Sequence, residues 1–216
     1  MNASDDFFDT SVFINCPFDD DYLPLLRPIL FTILYLGFRP RITSERLDSG
    51  ETRISKICEL IQESKYSIHD LSRMESAKEN EIYRMNMPFE LGIDIGCRLF
   101  AGNDKASKKC LILEAQKFRY QKALSDMASS DIKNHNNEPE QVVREIRNWF
   151  VEIRVPKAPS ATVIWDDFNE FMVDFYEKRE QDGFKEKDLT TMPISELIAF
   201  MKSWLSKGED SNHLNT

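Results

Sequence analysis

The chain lacks any apolar run long enough to cross a membrane. Its most apolar stretch, residues 28–36, is far shorter than the roughly 20 residues of a membrane-spanning helix. The first six residues, Met1–Asp6, are acidic and lack the basic start of a secretory signal. We therefore expect a cytoplasmic protein that makes no membrane contact.

Motifs built on glycine and cysteine are also missing. Neither the GxxxxGK[ST] nor the GxGxxG pattern occurs, which argues against a nucleoside triphosphatase or a dinucleotide oxidoreductase. The four cysteines form no CxxC pair and no histidine stands at ligand spacing, so we expect no metal and four reduced thiols.

No nucleophile elbow accompanies the polar group Asp126, Asp131 and His135, so a Ser/His/Asp hydrolase is not supported. Helical spacing would put Asp131 and His135 one turn apart, either as polar caps or as a functional pair.

Basic residues are fewer than acidic residues in this chain. The 28 Lys and Arg residues face 37 Asp and Glu residues, which gives a net charge of −9. This balance argues against direct nucleic-acid binding, which needs a basic face. The apolar fraction of 41% suffices for the core of one domain, or of one domain with a helical annex.

Strand and helix patterns alternate in the first half of the chain. Strands are predicted at 11–15, 38–43, 66–70 and 109–113, and helices at 24–35, 53–64 and 88–99. Such alternation predicts an α/β domain with a parallel sheet over residues 1–115, and Pro40 indicates that its strand lies at an edge or is short.

The second half of the chain has a different pattern. Four helices are predicted there, at 117–130, 138–153, 165–178 and 193–206. We therefore expect a helical extension over 116–207, packed on the α/β domain, and a disordered tail over 208–216.

Two carboxylates are predicted at the carboxyl edge of the sheet. Asp70 ends a buried strand, and Glu90 follows Pro88, which we place at the first position of a helix. A strand end and a helix start build the ligand crevice of an open α/β sheet, and paired carboxylates suit glycosidic-bond cleavage. Each also has a structural interpretation, Glu90 as a helix cap and Asp70 as a loop cap. His69 alternates to the other face, where we expect it to be packed or exposed.

Further candidates near this edge would contact a ligand: Asn15, Phe18, Asp19, Arg53, Arg84 and Asn86. Backbone amides of the loop 15–19 could meet a phosphate, and Phe18 could stack on a base or act as a packing lid. Either arginine could pair with a pyrophosphate or remain a solvated surface side chain.

Three of these segments resemble one known group of proteins. Residues 12–19 (VFINCPFD), 68–72 (IHDLS) and 87–92 (MPFELG) resemble the Toll/interleukin-1 receptor (TIR)-like and nucleoside 2-deoxyribosyltransferase-like superfamily. The resemblance covers roughly residues 10–115, and 118–135 is similar to uncharacterised bacterial members. It implies a flavodoxin-like parallel sheet flanked by helices, and it places on Glu90 the role of cleaving an N-glycosidic bond.

The resemblance also implies a function. We expect a hydrolase that releases nicotinamide from NAD in a bacterial defence or stress role, with the nucleotide as substrate and no further cofactor. Glu90 would stabilise the ribosyl cation and Asp70 would hold the ribose. Two alternatives stay open: a non-enzymatic nucleotide sensor or interaction module, and a deoxyribosyltransferase. Self-association or a protein partner would use the C-terminal helices.

Overall fold

A five-stranded, all-parallel sheet forms the centre of the molecule. The computed structural model describes residues 5–46, 48–73, 85–122, 124–127 and 131–213. The strand order is β2-β1-β3-β4-β5, which is the flavodoxin-like order. The strands are β1 (Ser11–Asn15), β2 (Arg39–Arg41), β3 (Tyr66–Asp70), β4 (Lys109–Glu114) and β5 (Lys133–Asn134). The predicted α/β class is therefore confirmed, and Pro40 does lie in an edge strand.

Helices flank this sheet and dominate the C-terminal half. They are α1 (Leu23–Tyr35), α2 (Arg53–Gln62), α3 (Asn86–Phe100), α4 (Pro139–Ile153), α5 (Ala161–Gln181), α6 (Glu186–Thr190) and α7 (Ile194–His213). Their starts follow ordinary capping rules, since the side chains of Thr52 and Ser160 accept backbone N–H bonds at the starts of α2 and α5. Gly37, predicted as the stop of α1, adopts a φ of +79° that favours glycine.

The helix predicted over 117–130 is wrong. The described part of this segment contains two short 3-10 turns, Arg119–Lys122 and Ser125–Met127. Phe118 has a φ of +63°, which a continuous α-helix does not accommodate. The turns lead into the fifth strand, β5, which was not predicted.

The strand β5 also changes the position of His135. The backbone N–H of His135 donates to the Glu114 carbonyl at 3.0 Å, as an extension of the β4–β5 pairing. Asp131 and His135 are therefore not one helical turn apart, and the predicted helical relation between them is wrong. His135 instead lies buried at the carboxyl edge of the sheet.

The last helix is longer than predicted. The backbone of α7 continues to His213, so it passes Gly208, where we expected the chain to lose its structure. In the part of the chain that the structure describes, no helix combines the length and the apolar character that crossing a membrane requires.

The two faces of the sheet bury different sets of side chains. Alternate residues of β1 show this: Val12 and Ile14 pack in the large core with α1 and α4, whereas Phe13 packs against α2 on the opposite face. On that second face Ile112 of β4 packs with Leu91 of α3. The helices α2 and α3 thus cover one face, and α1 with the C-terminal helices covers the other.

Helix α1 is buried between the sheet and the C-terminal helices. Its Phe31 side chain has no exposed surface, and the ring stacks on Phe171 of α5 at a centroid distance of 5.6 Å. Phe168 and Trp204 also contact Phe31, at centroid distances of 5.5 and 5.9 Å. The C-terminal helices therefore share one hydrophobic core with the α/β part.

We predict that Phe171→Ala lowers the free energy of unfolding by about 3–5 kcal/mol, because it leaves a cavity against Phe31. Val173→Ala is the matched control, since Val173 lies on the same helix and is 57% exposed. The control should change stability by about 0.5 kcal/mol or less. Urea unfolding of the three proteins measures both values, and equal stability of the two variants would contradict the shared core.

Candidate functional site at the carboxyl edge of the sheet

The strand order locates the crevice of this fold. The chain crosses from β1 to β2 on one side and continues through β3 on the other, so the direction of winding reverses between β1 and β3. Ligands of open α/β sheets bind outside the carboxyl ends of the strands at this switch point. Asn15 ends β1 and Asp70 ends β3, and both are buried there.

Both carboxylate oxygens of Asp70 already have partners. Oδ2 accepts from the Tyr22 hydroxyl and lies 3.2 Å from His135 Nε2, and Oδ1 accepts from the Ser72 backbone N–H at 2.8 Å. His135 Nδ1 accepts from the Asn137 N–H at 3.1 Å, so in the neutral ring Nε2 carries the proton that faces Asp70.

This network keeps Asp70 ionised. Burial alone would raise the pKa of Asp70, but His135, Tyr22 and Ser72 outweigh burial and lower the pKa below its ordinary value. A ribose hydroxyl would have to replace one of these bonds to reach Asp70. Sequence reasoning missed Tyr22 and His135 as the partners of Asp70.

Glu90 occupies a different helical position from the predicted one. Helix α3 begins at Asn86, so Pro88 is its third residue and Glu90 its fifth. The free N–H groups belong to the first four residues, so the interpretation of Glu90 as an N-terminal cap is wrong.

The Glu90 carboxylate is poorly compensated for its burial. Its side chain is 5% exposed, and Oε1 lies 3.7 Å from a guanidinium nitrogen of Arg53. Burial raises the pKa of Glu90, and the positive charge of Arg53 offsets this only in part.

Cys16 lies in the electric field of three candidate carboxylates. Burial raises the pKa of its thiol, and the negative charges of Asp70, Glu90 and Asp19 raise it further. Asp70 and Glu90 nevertheless reach the edge from opposite faces of the sheet. Asp70 points toward Tyr22 at the start of α1, whereas Glu90 is carried by α3 on the other face.

The other predicted ligand contacts are scattered around the edge. Arg73 joins the two loops of the crevice, because its Nη1 lies 2.9 Å from Asp19 Oδ1. Phe18 is 39% exposed on the first of these loops. Arg53 is on the surface beside Glu90, and Asn86 is exposed at the start of α3. Arg84 lies outside the described residues.

His69, expected to be either packed or exposed, is packed within the protein. Its Nδ1 accepts from Asn15 Nδ2 at 2.9 Å, and Nε2 lies 3.0 Å from Asp94 Oδ2. Asn15 Nδ2 also donates to the Met87 carbonyl at 2.9 Å, which ties β1 to the start of α3.

Asp94 completes a buried polar network under α3. Burial would raise the pKa of Asp94, but His69, Lys108 and Ser67 lower it to about 2. Asp94 follows Glu90 by four residues, so the two carboxylates share a helix face, and this spacing was the available sequence signal for Asp94.

Several buried polar atoms at this edge lack a hydrogen-bond partner among the described residues. Among them are Asn15 Oδ1 at the end of β1, Ser72 Oγ after β3 and Glu114 Oε2 at the end of β4; His135 Nε2 meets Asp70 only as an ion-pair contact at 3.2 Å. Leaving such a group unpaired costs about 1–3 kcal/mol. A polar ligand with hydroxyl groups would satisfy them.

Comparisons with known proteins give no relative for this chain: no family model, no curated protein and no solved structure matches it. The resemblance to TIR-like and deoxyribosyltransferase-like proteins therefore remains a prediction.

We predict that Glu90→Gln stabilises the protein at neutral pH. A folded-state pKa above the unfolded value means that the folded protein disfavours the charged form of Glu90. The neutral glutamine should raise Tm by about 2–4 °C for each kcal/mol that it adds to the free energy of unfolding. The gain should shrink as the pH falls through the raised pKa and vanish below the ordinary value of 4.5, where both side chains are neutral.

Thermal unfolding of both proteins from pH 8 to pH 4 measures this effect. Glu59→Gln serves as the control, because the Glu59 side chain is 51% exposed. A lower Tm for Glu90→Gln at pH 7 would show that its charge supports the fold.

Proposed function

We propose that this protein binds a nucleotide at the carboxyl edge of its sheet and hydrolyses the N-glycosidic bond, with the nicotinamide–ribose bond of NAD as the substrate bond. The observation that supports this most is the Glu90 carboxylate, which is buried beside the switch point and has one long ion pair among the described residues. Burying a carboxylate with so little compensation costs folding free energy, which favours a functional role for it. Away from water, the carboxylate interacts more strongly with a positive charge that develops on a substrate.

The proposed reaction is a displacement at the anomeric carbon of ribose. The bond between C1′ and the nicotinamide nitrogen breaks, and its electron pair leaves with the base. Positive charge develops on the ribose, where the Glu90 carboxylate stabilises it or traps it as an ester. Water then adds to C1′ and releases a proton, so that the products are nicotinamide and ADP-ribose.

The protonation states favour NAD over nucleotides with neutral bases. The nicotinamide ring of NAD is a cation and leaves as a neutral molecule, so no general acid has to protonate it. Asp70 is held in its ionised form and is unsuited to act as that acid. One carboxylate is then sufficient for the bond-breaking step.

The remaining groups at the edge fit a nucleotide ligand. Asn15 Oδ1 and Ser72 Oγ would bond ribose hydroxyls, since both atoms are buried and unpaired among the described residues. Phe18 would stack on a base. Asp70 would then position Tyr22 and His135 rather than hold the ribose directly. The resemblance adds a bacterial defence or stress role to the proposal, in which cleavage depletes a cofactor.

We predict that the wild-type protein releases nicotinamide from NAD and that Glu90→Gln reduces kcat by orders of magnitude while NAD still binds. The carboxylate acts mainly on the transition state, so its loss should change kcat more than binding. Chromatographic detection of the released base measures turnover, with other nucleotides and acceptor bases tested alongside NAD. Both proteins should be assayed at concentrations that permit self-association.

Three outcomes would contradict this assignment. Equal turnover of wild type and Glu90→Gln would remove Glu90 from the reaction. NAD binding without any base release would identify a sensor, and base exchange without hydrolysis would identify a deoxyribosyltransferase. Glu59→Gln, altered at an exposed position, should retain full activity.

We predict that Arg53→Ala moves the acid limb of the pH–rate profile to higher pH. The Arg53 charge lowers the pKa of Glu90, so its removal should raise that pKa further, and the ionised form would persist only at higher pH. In the wild type, the rate should fall at a pH above 4.5, the ordinary pKa of this group, and in the variant it should fall at a higher pH still. An unchanged limb would indicate that another group controls the rate.

A further inference from the structure

Three side chains from three elements meet beneath helix α3. His69 of β3, Asp94 of α3 and Cys110 of β4 offer an imidazole nitrogen, a carboxylate oxygen and a sulfur that lie within 4.8 Å of one another. Parallel pairing explains the arrangement, because Ser67 is in register with Cys110 and His69 with Ile112. His69 and Cys110 therefore point to the same face of the sheet, toward α3.

We propose that His69, Asp94 and Cys110 bind a zinc-like transition-metal ion. Nitrogen, sulfur and oxygen donors are the ligands that zinc takes in proteins. Three protein ligands with one open position are typical of sites where the fourth ligand is water or another small molecule. This inference does not depend on the proposed function.

A cavity beside α3 supplies room for the fourth ligand. It has a volume of about 260 Å³ and is bordered by Asp94, Cys110, Arg98, Lys108 and Lys109. Two of the three proposed ligands thus face an approach from outside. The basic side chains of Arg98 and Lys108 favour an anionic fourth ligand, such as hydroxide or chloride, on the bound ion.

The surrounding contacts resemble the outer shell of a metal site. Ser67 Oγ donates to Asp94 Oδ2, and Lys108 Nζ lies 3.1 Å from Asp94 Oδ1. Lys108 is itself held by the carbonyls of Ile61 and Ser64, so its position is fixed independently of Asp94. Such contacts orient ligating side chains.

Charge and protons balance on binding. The Asp94 carboxylate and a Cys110 thiolate together neutralise a divalent ion, and the Cys110 thiol proton is released to solvent. The ion replaces the bond between His69 Nε2 and Asp94 Oδ2, which measures 3.0 Å. The positive charge of Lys108, which lies beside Asp94, is then left to balance the negative charge of the fourth ligand.

Asn15 would respond to the bound ion. A neutral imidazole that coordinates through Nε2 carries its proton on Nδ1, where Asn15 Nδ2 now donates. Rotation of the Asn15 amide would present Oδ1, which is buried and without a partner among the described residues, as the acceptor. The rotation would cost the bond to the Met87 carbonyl, so metal binding would rearrange the end of β1.

Cobalt titration of the metal-stripped, full-length protein tests this site. Co²⁺ bound to a thiolate gives a charge-transfer band in the near ultraviolet and visible bands typical of tetrahedral coordination. We expect saturation at one equivalent in the wild type, loss of the bands on addition of excess zinc, and a rise in Tm with zinc.

Two variants separate this site from the other thiols. Cys110→Ser keeps the size of the side chain and should abolish the thiolate band and the zinc-dependent rise in Tm. Cys58→Ser is the control, because Cys58 lies on α2 and lines a different cavity, and it should behave as the wild type. Absence of the bands in a folded wild type, or equal bands in Cys110→Ser, would overturn the proposal.

Discussion

The buried charge of Asp70 is the interaction on which the carboxyl edge of the sheet depends. Asp70 has no exposed surface, and its carboxylate connects the central strand β3 to Tyr22 before α1 and to His135 after β5. These two partners come from parts of the chain that are distant from β3 and from each other. If the carboxylate were lost, the hydroxyl and the imidazole would be left buried without compensation, so the loops around the crevice rely on one charged group.

Local patterns in the sequence predicted most of the sheet and most of the helices. The strands β1 and β3 were predicted at their observed limits, because short runs of apolar residues define them. The strand β5 was missed, because a strand of two residues has no periodicity to detect. The start of α3 was misplaced, because proline is tolerated throughout the first helical turn and not at its first position alone.

The site was harder to predict than the fold, because its contacts join residues that are distant in the sequence. The position of Asp70 at a strand end was visible, but its pairing with His135 requires the β4–β5 crossover. The grouping of His69, Asp94 and Cys110 likewise depends on the register of β3 and β4 and on the packing of α3. The four-residue spacing of Glu90 and Asp94 was the one local sign that α3 presents two buried carboxylates to the sheet.

The strands at the two edges of the sheet limit how this protein can meet another chain. On one side β2 has three residues, and its Pro40 has no N–H to donate; on the other side β5 has two residues. A neighbouring polypeptide therefore finds too few free backbone groups at either edge to add a strand. Within the described residues, association by β-augmentation is disfavoured, and a partner or a second copy would have to dock through side chains on helices and loops.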